Sequence, residues 1–339
     1  MTAQLETNAQ AIVAGGKGIL AADESTGTIK KRFDSIGAQC TEDNRRDYRE
    51  LLFRSTGAMS KYISGVILYD ETLRQNAKDG TPISKIISDT GALPGIKVDT
   101  GAKDLAGCPG EKVTEGLDGL RERFAEYYDL GARFAKWRAV ITIGDGIPSR
   151  TCIAANAHAL ARYAALAQEA NIVPIVEPEV LMDGPHDIAR CFEVTEAALR
   201  ALYDELYAQR IHLEGTILKP NMVLSGTTCA TQAGVEEVAE QTVKCLKRAV
   251  PSAMPGICFL SGGQSEEDAT AHLSAMNAMY DTPWQLSFSY GRALQAAALK
   301  AWGGSAENEA AAQLAFSHRA KMNSLAALGE WKTSLEQAA

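Results

Sequence analysis

Eight short apolar runs, each of strand length, alternate with longer amphipathic stretches along most of the chain. They are Gly18–Asp23, Ile63–Asp70, Gly95–Asp99, Arg133–Val140, Ile172–Glu177, Gly215–Lys219, Gly256–Ser261 and Trp284–Ser289. Most are rich in β-branched or aromatic residues, which suit a pleated and buried surface. Between them the pattern predicts helices, among them Gly119–Leu130, Ala154–Ala170, His186–Gln209, Val235–Arg248 and Glu266–Ala278, the last with Ser265 as its N-cap. Strands that alternate with helices form a parallel sheet, and eight is the strand count of a closed barrel. The rival is an open, doubly wound sheet, usually of about five or six strands and often with a glycine-rich turn after the first. No G-x-G-x-x-G follows any of these runs. No linker, charge block or internal repeat divides the chain. The expected fold is therefore α/β, a single (β/α)8 TIM barrel over residues 1–339, with an N-terminal helical extension at 1–16 and a C-terminal helical tail at 310–339.

Charge narrows the partners. The net charge is −8, so nucleic acid and anionic membrane surfaces are not expected partners, although a local cationic pocket can still hold an anion. The seven cysteines (Cys40, Cys108, Cys152, Cys191, Cys229, Cys245 and Cys258) are odd in number, scattered and without a C-x-x-C. That pattern points to reduced thiols in a cytoplasm. Residues 1–10 lack a basic segment followed by an apolar core, and no run of about 18 apolar residues occurs, so neither a signal peptide nor a membrane span is expected.

The residues at the carboxyl ends of the runs carry the chemistry, because barrel active sites lie there. In strand order they are Asp23 and Glu24; Asp70 and Glu71; Asp99; Lys136 and Arg138; Glu177 and Glu179; Lys219; Ser261, Gly262 and Gly263; Ser289, Gly291 and Arg292. Barrel strands are ordinarily near-continuous apolar runs, yet Lys136, Glu177 and Lys219 interrupt or end theirs. A buried charge costs several kcal/mol unless it is paired. Such a cluster is either a structural ion-pair network or an active site, and strand-end charges favour the site. Lys136 and Lys219 lie on strands four and six, and alternate strands share an interior layer. Glu177 lies on the strand between them, with Glu179 facing the same way. Two adjacent lysines are expected to depress one pKa by like-charge repulsion and burial. Bringing a lysine from ~10.4 to about 7–8 takes roughly 4 kcal/mol and yields a neutral amine able to attack a ketone.

A phosphate site is expected independently. Barrels often bind phosphate in the loops after strands seven and eight, which here read Ser261-Gly262-Gly263 and Ser289-Tyr290-Gly291-Arg292. Glycines let backbone N–H groups approach an anion, and Arg292 can bind it bidentately. Either loop alone is a common turn; their joint occurrence at both positions is what points to phosphate. No metal is expected: His158, His186, His212, His272 and His318 share no ligand spacing, and lysines stand beside the carboxylates.

These segments, GKGILAADESTGTIKKR, GIKVDTG, FAKWR, IVPIVEPE, ILKPNM, FLSGGQSEEDA and FSYGRALQAAALKAW, occur in order from about Gln10 to about Leu328. Together they resemble class I, Schiff-base fructose-bisphosphate aldolase. The resemblance implies that Lys219 forms the imine and that Glu177 is acid and base in carbinolamine formation and dehydration. It implies that Asp23 takes the hydroxyl proton as the carbon–carbon bond breaks. Lys136 and Arg138 match cations beside the substrate, and Glu179 matches a supporting carboxylate. Ser261, Gly262, Ser289, Gly291 and Arg292 match binders of the ketone-side phosphate; Thr28 and Arg32 lie near the other. A sugar bisphosphate is the implied ligand, no cofactor is needed, and a glycolytic and gluconeogenic homotetramer is implied.

Two departures from the family pattern stand out. A lysine usually follows Val-Asp after strand three; here that position is Thr100, with Lys97 and Lys103 as possible substitutes. The animal enzymes end in a long tail with a terminal tyrosine, whereas this chain ends in GEWKTSLEQAA. Enamine protonation then falls to another group, or the step is slow. The competing readings are an aldolase for another ketose phosphate (sedoheptulose 1,7-bisphosphate or fructose 1-phosphate), a pyridoxal-phosphate enzyme, and a non-catalytic scaffold, which the retained Lys219, Glu177 and Asp23 oppose.

Overall fold

The computed structural model describes residues 2–337. Eight parallel strands close into a barrel: β1 Gly18–Ala22, β2 Ile63–Leu68, β3 Leu93–Lys97, β4 Phe134–Ile141, β5 Val173–Val180, β6 Ile217–Leu218, β7 Gly256–Phe259 and β8 Gln285–Tyr290. Each pairs with its neighbours in sequence, and β1 pairs with β8 to complete the ring. Every predicted run overlaps its strand, but β3 begins two residues earlier, at Leu93, and β4, β5 and β8 run on to Ile141, Val180 and Tyr290, so β5 continues past Glu177, where the apolar run ends. The sixth is shortest because Leu213–Gly215 is a 3₁₀ turn and Pro220, which has no N–H to donate, follows Lys219. The five predicted helices are present as Leu120–Asp129, Arg150–Glu169, Ile188–Ala208, Val235–Ala249 and Glu266–Met279. Ser265 caps the last, accepting the Asp268 N–H at 3.0 Å.

Side-chain alternation divides the strands between two cores. Outward residues such as Leu20, Ala135, Trp137 and Phe259 pack with the surrounding helices; Trp137 stacks on Tyr163 with centroids 5.6 Å apart. Inward residues Ile19, Ala21, Ile67, Phe134, Val173, Ile175, Ile217 and Cys258 fill the barrel itself. The helix Thr2–Ile12 supplies Leu5, Ala9 and Ile12 to that interior core, so the N-terminal extension seals the end of the barrel opposite the site. The same inward register continues upward to Asp23, Lys136, Glu177 and Lys219. A packed apolar barrel interior therefore lies beneath the charged residues.

Phe134 needs space that only glycine leaves. A Cβ on Gly95 would sit 2.3 Å from its ring carbons, and one on Gly65 2.8 Å. Gly95→Ala is expected to destabilise the barrel by about 1–3 kcal/mol through overpacking. A denaturant midpoint unchanged from the parent would show instead that the ring has room to move.

Two features depart from the sequence reading. The C-terminal segment predicted as one helical tail over 310–339 is helical only as Glu309–Ala327, with a 3₁₀ turn at Thr333–Leu335. Gly329 stops it at φ +71°, its N–H bonding Ala326 O and the Glu330 N–H bonding Leu325 O, a Schellman closure. Residues 338–339 of that tail, and residue 1 of the extension, lie outside the described residues. A β-hairpin, Gly101–Asp104 with Lys112–Glu115, is inserted after β3 and was not anticipated. Among the described residues no helix is long and apolar enough to cross a membrane.

Candidate active site

All thirteen residues to which the family resemblance gives a role line one cavity of about 370 Å³ at the carboxyl end of the barrel. They are Asp23, Thr28, Arg32, Lys136, Arg138, Glu177, Glu179, Lys219, Ser261, Gly262, Ser289, Gly291 and Arg292.

At its floor, a chain of charges runs Asp23, Lys136, Glu177, Lys219. Lys136 Nζ lies 2.7 Å from Asp23 Oδ2 and 3.3 Å from Glu177 Oε2. Lys219 Nζ lies 3.1 Å from the other oxygen, Glu177 Oε1. Lys136, Glu177 and Lys219 are almost fully buried. The β4–β5 register, which sets Lys136 beside Ile175 and Arg138 beside Glu177, puts Glu177 one step higher than Lys136, between the two lysines. Among the described residues Glu177 Oε2 makes no aligned hydrogen bond despite its closeness to Lys136. Such a free, buried carboxylate oxygen is suited to exchange a proton with a bound molecule.

Like-charge repulsion was expected to govern the lysines, but at Lys136 it does not. Burial by itself would lower the Lys136 pKa; Asp23, Glu177 and Asp99 outweigh it and hold the ammonium above its ordinary value. The carboxylates entering between the lysines are the reason. In turn, burial raises Asp23 and Glu177, and the surrounding cations more than cancel this, Lys136 first and Lys219 next in both cases. Both carboxyls are held below their ordinary values of 3.8 and 4.5. The stability contributed by these depressed groups is therefore present above the ordinary carboxylate range and is lost as pH falls below it. Thermal melts from pH 7 down to about pH 3 are expected to show a falling Tm, and Asp23→Asn to flatten that fall. An equal fall in the variant would rule out Asp23 as a source.

Above the floor, Arg138 pairs with Glu179. The buried Asp99 accepts from the Gly101 and Arg138 backbone N–H groups and meets Lys97 Nζ at 3.0 Å. On the β7–β8 side the mouth is built from small residues and N–H groups. Gly262 takes φ +56°, a turn a side chain rarely adopts. Gly291 directly precedes the helix Arg292–Trp302, whose first turn presents N–H groups suited to an anion. The Ser289 hydroxyl is buried without a hydrogen-bond partner among the described residues. Gly263, the third residue of the predicted phosphate loop, stays outside the cavity, its N–H turned toward Met182 Sδ. Across the mouth, Thr28 and Arg32 project from the helix Thr26–Asp34, with Arg32 Nη1 2.5 Å from Glu24 Oε1. Among the described residues no three His, Cys, Asp or Glu side chains converge as metal ligands.

The family model for class-I fructose-bisphosphate aldolase matches residues 4–339. The chain belongs to the class-I fructose-bisphosphate aldolase family. It is 64% identical to a probable class 1 fructose-bisphosphate aldolase of Xanthomonas campestris, across 97% of this chain and 98% of that one. It is 55% identical to fructose-bisphosphate aldolase C of Carassius auratus, across 98% and 92%. Its fold superposes with TM-score 0.96 on the Plasmodium falciparum aldolase, solved with TRAP and a small-molecule inhibitor, at 49% identity and covering 98% of this chain and 96% of that one. The family is one of carbon–carbon lyases.

Within this aldolase frame some strand-end residues fall away from the cavity. After β2 the chain turns into the short helix Asp70–Arg74, which carries its carboxylates outward. Asp70 bonds Tyr127 and Arg74, and Glu71 bonds Arg45. At the departure after β3, Thr100 is exposed and does not line the cavity. Lys97 lines it; Lys103 stands exposed on the hairpin outside it. Supporting residues escaped the sequence reading because their roles are contacts between distant segments. Gln295 Nε2 donates to Ala21 O at 2.7 Å and Glu24 Oε1 at 2.9 Å, while Asn221 Oδ1 holds the Val180 N–H at 3.0 Å. Both are amides in otherwise legible motifs, FSYGRALQ and ILKPN, and that was their signal.

Proposed function

We propose that this chain cleaves fructose 1,6-bisphosphate reversibly to dihydroxyacetone phosphate and glyceraldehyde 3-phosphate through an imine on Lys219. The observation that carries this is the Asp23–Lys136–Glu177–Lys219 chain on the barrel floor, with a glycine-rich, arginine-bearing mouth on one side. Lys219 sheds a proton to Glu177 Oε1 and attacks the ketone carbon. Glu177 returns protons to the carbinolamine oxygen, which leaves as water, giving an iminium. Asp23 then takes the proton of the hydroxyl that becomes the aldehyde. The carbon–carbon bonding pair moves into the iminium, making an enamine. A proton at the enamine carbon and hydrolysis of the imine release the ketone product and free Lys219. Lys136, held cationic, keeps Asp23 ionised and ready as a base.

Ser261, Gly262, Ser289, Gly291 and Arg292 bind the ketone-side phosphate in this reading, Thr28 and Arg32 the other, and Arg138 with Glu179 supports the substrate between them. Residues 1–339 act as one catalytic unit. The resemblance further supports a homotetramer in glycolysis and gluconeogenesis, and the seven unpaired cysteines fit a reducing cytoplasm. Thr100 favours weighing a second substrate class, because the cation usual there is missing and Lys97 is already paired with Asp99. The test is to compare kcat/KM for fructose 1,6-bisphosphate, sedoheptulose 1,7-bisphosphate and fructose 1-phosphate, with and without a chelator. The bisphosphate should be cleaved fastest, with no loss on chelation, since the iminium supplies the electron sink. Preference for fructose 1-phosphate would replace the substrate assignment, and a rate abolished by chelation would overturn the mechanism.

A further inference from the structure

The loop between β7 and the helix Glu266–Met279 carries two of the residues that would face phosphate, and its shape is set by a side chain outside the cavity. Gln264 is buried. Its Nε2 donates to Ser261 O at 3.0 Å, and its backbone N–H donates to the same oxygen at 3.1 Å. Its own carbonyl accepts from Arg292 Nη2 at 3.0 Å. One residue thus ties together Ser261, on the loop after β7, and Arg292, at the start of the helix after β8.

The amide in turn is held by His272. Gln264 Oε1 lies 2.6 Å from His272 Nδ1, and the imidazole, in the second turn of the helix, is buried. Because Nε2 is engaged as donor to Ser261, Oε1 must accept, which assigns the ring proton to Nδ1. Burial lowers the His272 pKa to about 4, so the ring is neutral at pH 7 and this tautomer alone makes the bond. Apart from a distant Met222 sulfur at 3.7 Å from Nε2, no other side chain bonds the amide among the described residues.

We infer that Gln264 and His272 are positioning residues for the ketone-side phosphate subsite: His272 orients the Gln264 amide, and Gln264 sets the Ser261–Gly262 turn and parks the Arg292 guanidinium. This deepens the aldolase reading and rests on it. Neither residue touches substrate, so their removal should weaken phosphate binding and leave the imine chemistry alone.

The test compares His272→Leu, which fills the space without a donor, with His272→Asn, whose amide N–H can replace Nδ1–H. Inorganic phosphate serves as the probe, by titration calorimetry and as a competitive inhibitor. His272→Leu is expected to raise the phosphate dissociation constant and the KM for fructose 1,6-bisphosphate about 5–10-fold, the worth of roughly one hydrogen bond. Its kcat should stay within about twofold, as for lost uniform binding, and His272→Asn should restore both constants. Unchanged phosphate binding in a normally melting His272→Leu overturns the inference; so does equal impairment of the Leu and Asn variants, which would mark a packing role. If His272→Leu does not fold, Gln264→Met makes the same comparison. Trapping dihydroxyacetone phosphate on Lys219 of the parent protein with borohydride separates the two levels. Failure to trap defeats the aldolase reading, whereas trapping with unaltered phosphate binding in the variants defeats only the role of Gln264 and His272.

Discussion

Borohydride reduction in the presence of dihydroxyacetone phosphate is expected to inactivate the protein and add one covalent label, on the peptide carrying Lys219. Lys219→Met should take no label and lose at least about 10⁴-fold in kcat, because a missing nucleophile removes the covalent route entirely. The competing candidate is Lys136, the other buried lysine of the site. It contacts Asp23 and Glu177 within 3.3 Å and is held cationic, whereas Lys219 faces the single oxygen Glu177 Oε1 at 3.1 Å. A charged ammonium cannot attack, so Lys136 should stay unlabelled. Peptide mass mapping decides this directly: label on Lys136, or full labelling of Lys219→Met, would refute the assignment.

Lys136→Met should be almost as damaging, for a different reason. It leaves Asp23 and Glu177 on the barrel floor without their main cation. Removing one partner of a buried ion pair costs about 3–5 kcal/mol, unless the orphaned carboxyl takes up a proton. Either outcome removes an ionised base, and general-base loss lowers kcat by about 10²–10⁴-fold. The pH dependence of stability should also change sign. In the parent, both carboxyls lie below their ordinary values, so acid destabilises. In the variant an uncompensated buried carboxyl lies above its ordinary value. Its stabilising protonated form is then present in acid and is lost as pH rises through the raised pKa. Melting curves between pH 4 and about pH 8 should therefore fall with pH in Lys136→Met where the parent does not. A variant that retains the parent's profile would show that Lys219 and Lys97 suffice to hold the carboxyls ionised.

Much of the barrel was legible because burial imposes a period. Ile19, Ala21 and Asp23 alternate with Leu20 and Ala22, and Phe134, Lys136 and Arg138 alternate with Ala135 and Trp137; each series keeps one side of the sheet. Insertions obey no such period. The hairpin Gly101–Asp104/Lys112–Glu115 has a largely exposed first strand and a half-buried second one, and their sequences, GAKD and KVTE, are too charged to carry an apolar signature. The tail was overextended because Gly329, one glycine in an alanine-rich segment, ends its helix through backbone geometry.

The site divides the same way. From its residue order alone, the chain determined which groups stand in the carboxyl halves of the strands or just beyond them, since a charge interrupts or ends each apolar run there and the barrel sends all eight ends to one mouth. Asp23, Lys136, Glu177 and Lys219 were identifiable on that ground. Their electrostatics were not. Two lysines on alternate strands read as mutually repelling until the register set Glu177 between them and Asp23 against Lys136 at 2.7 Å. Charge interactions depend on distance and burial, which strand order does not specify, so only the closed barrel decided that Lys136 is kept cationic. Tertiary closure likewise decided that Asp70 and Glu71 leave the cavity while Gln264 and His272 brace its edge.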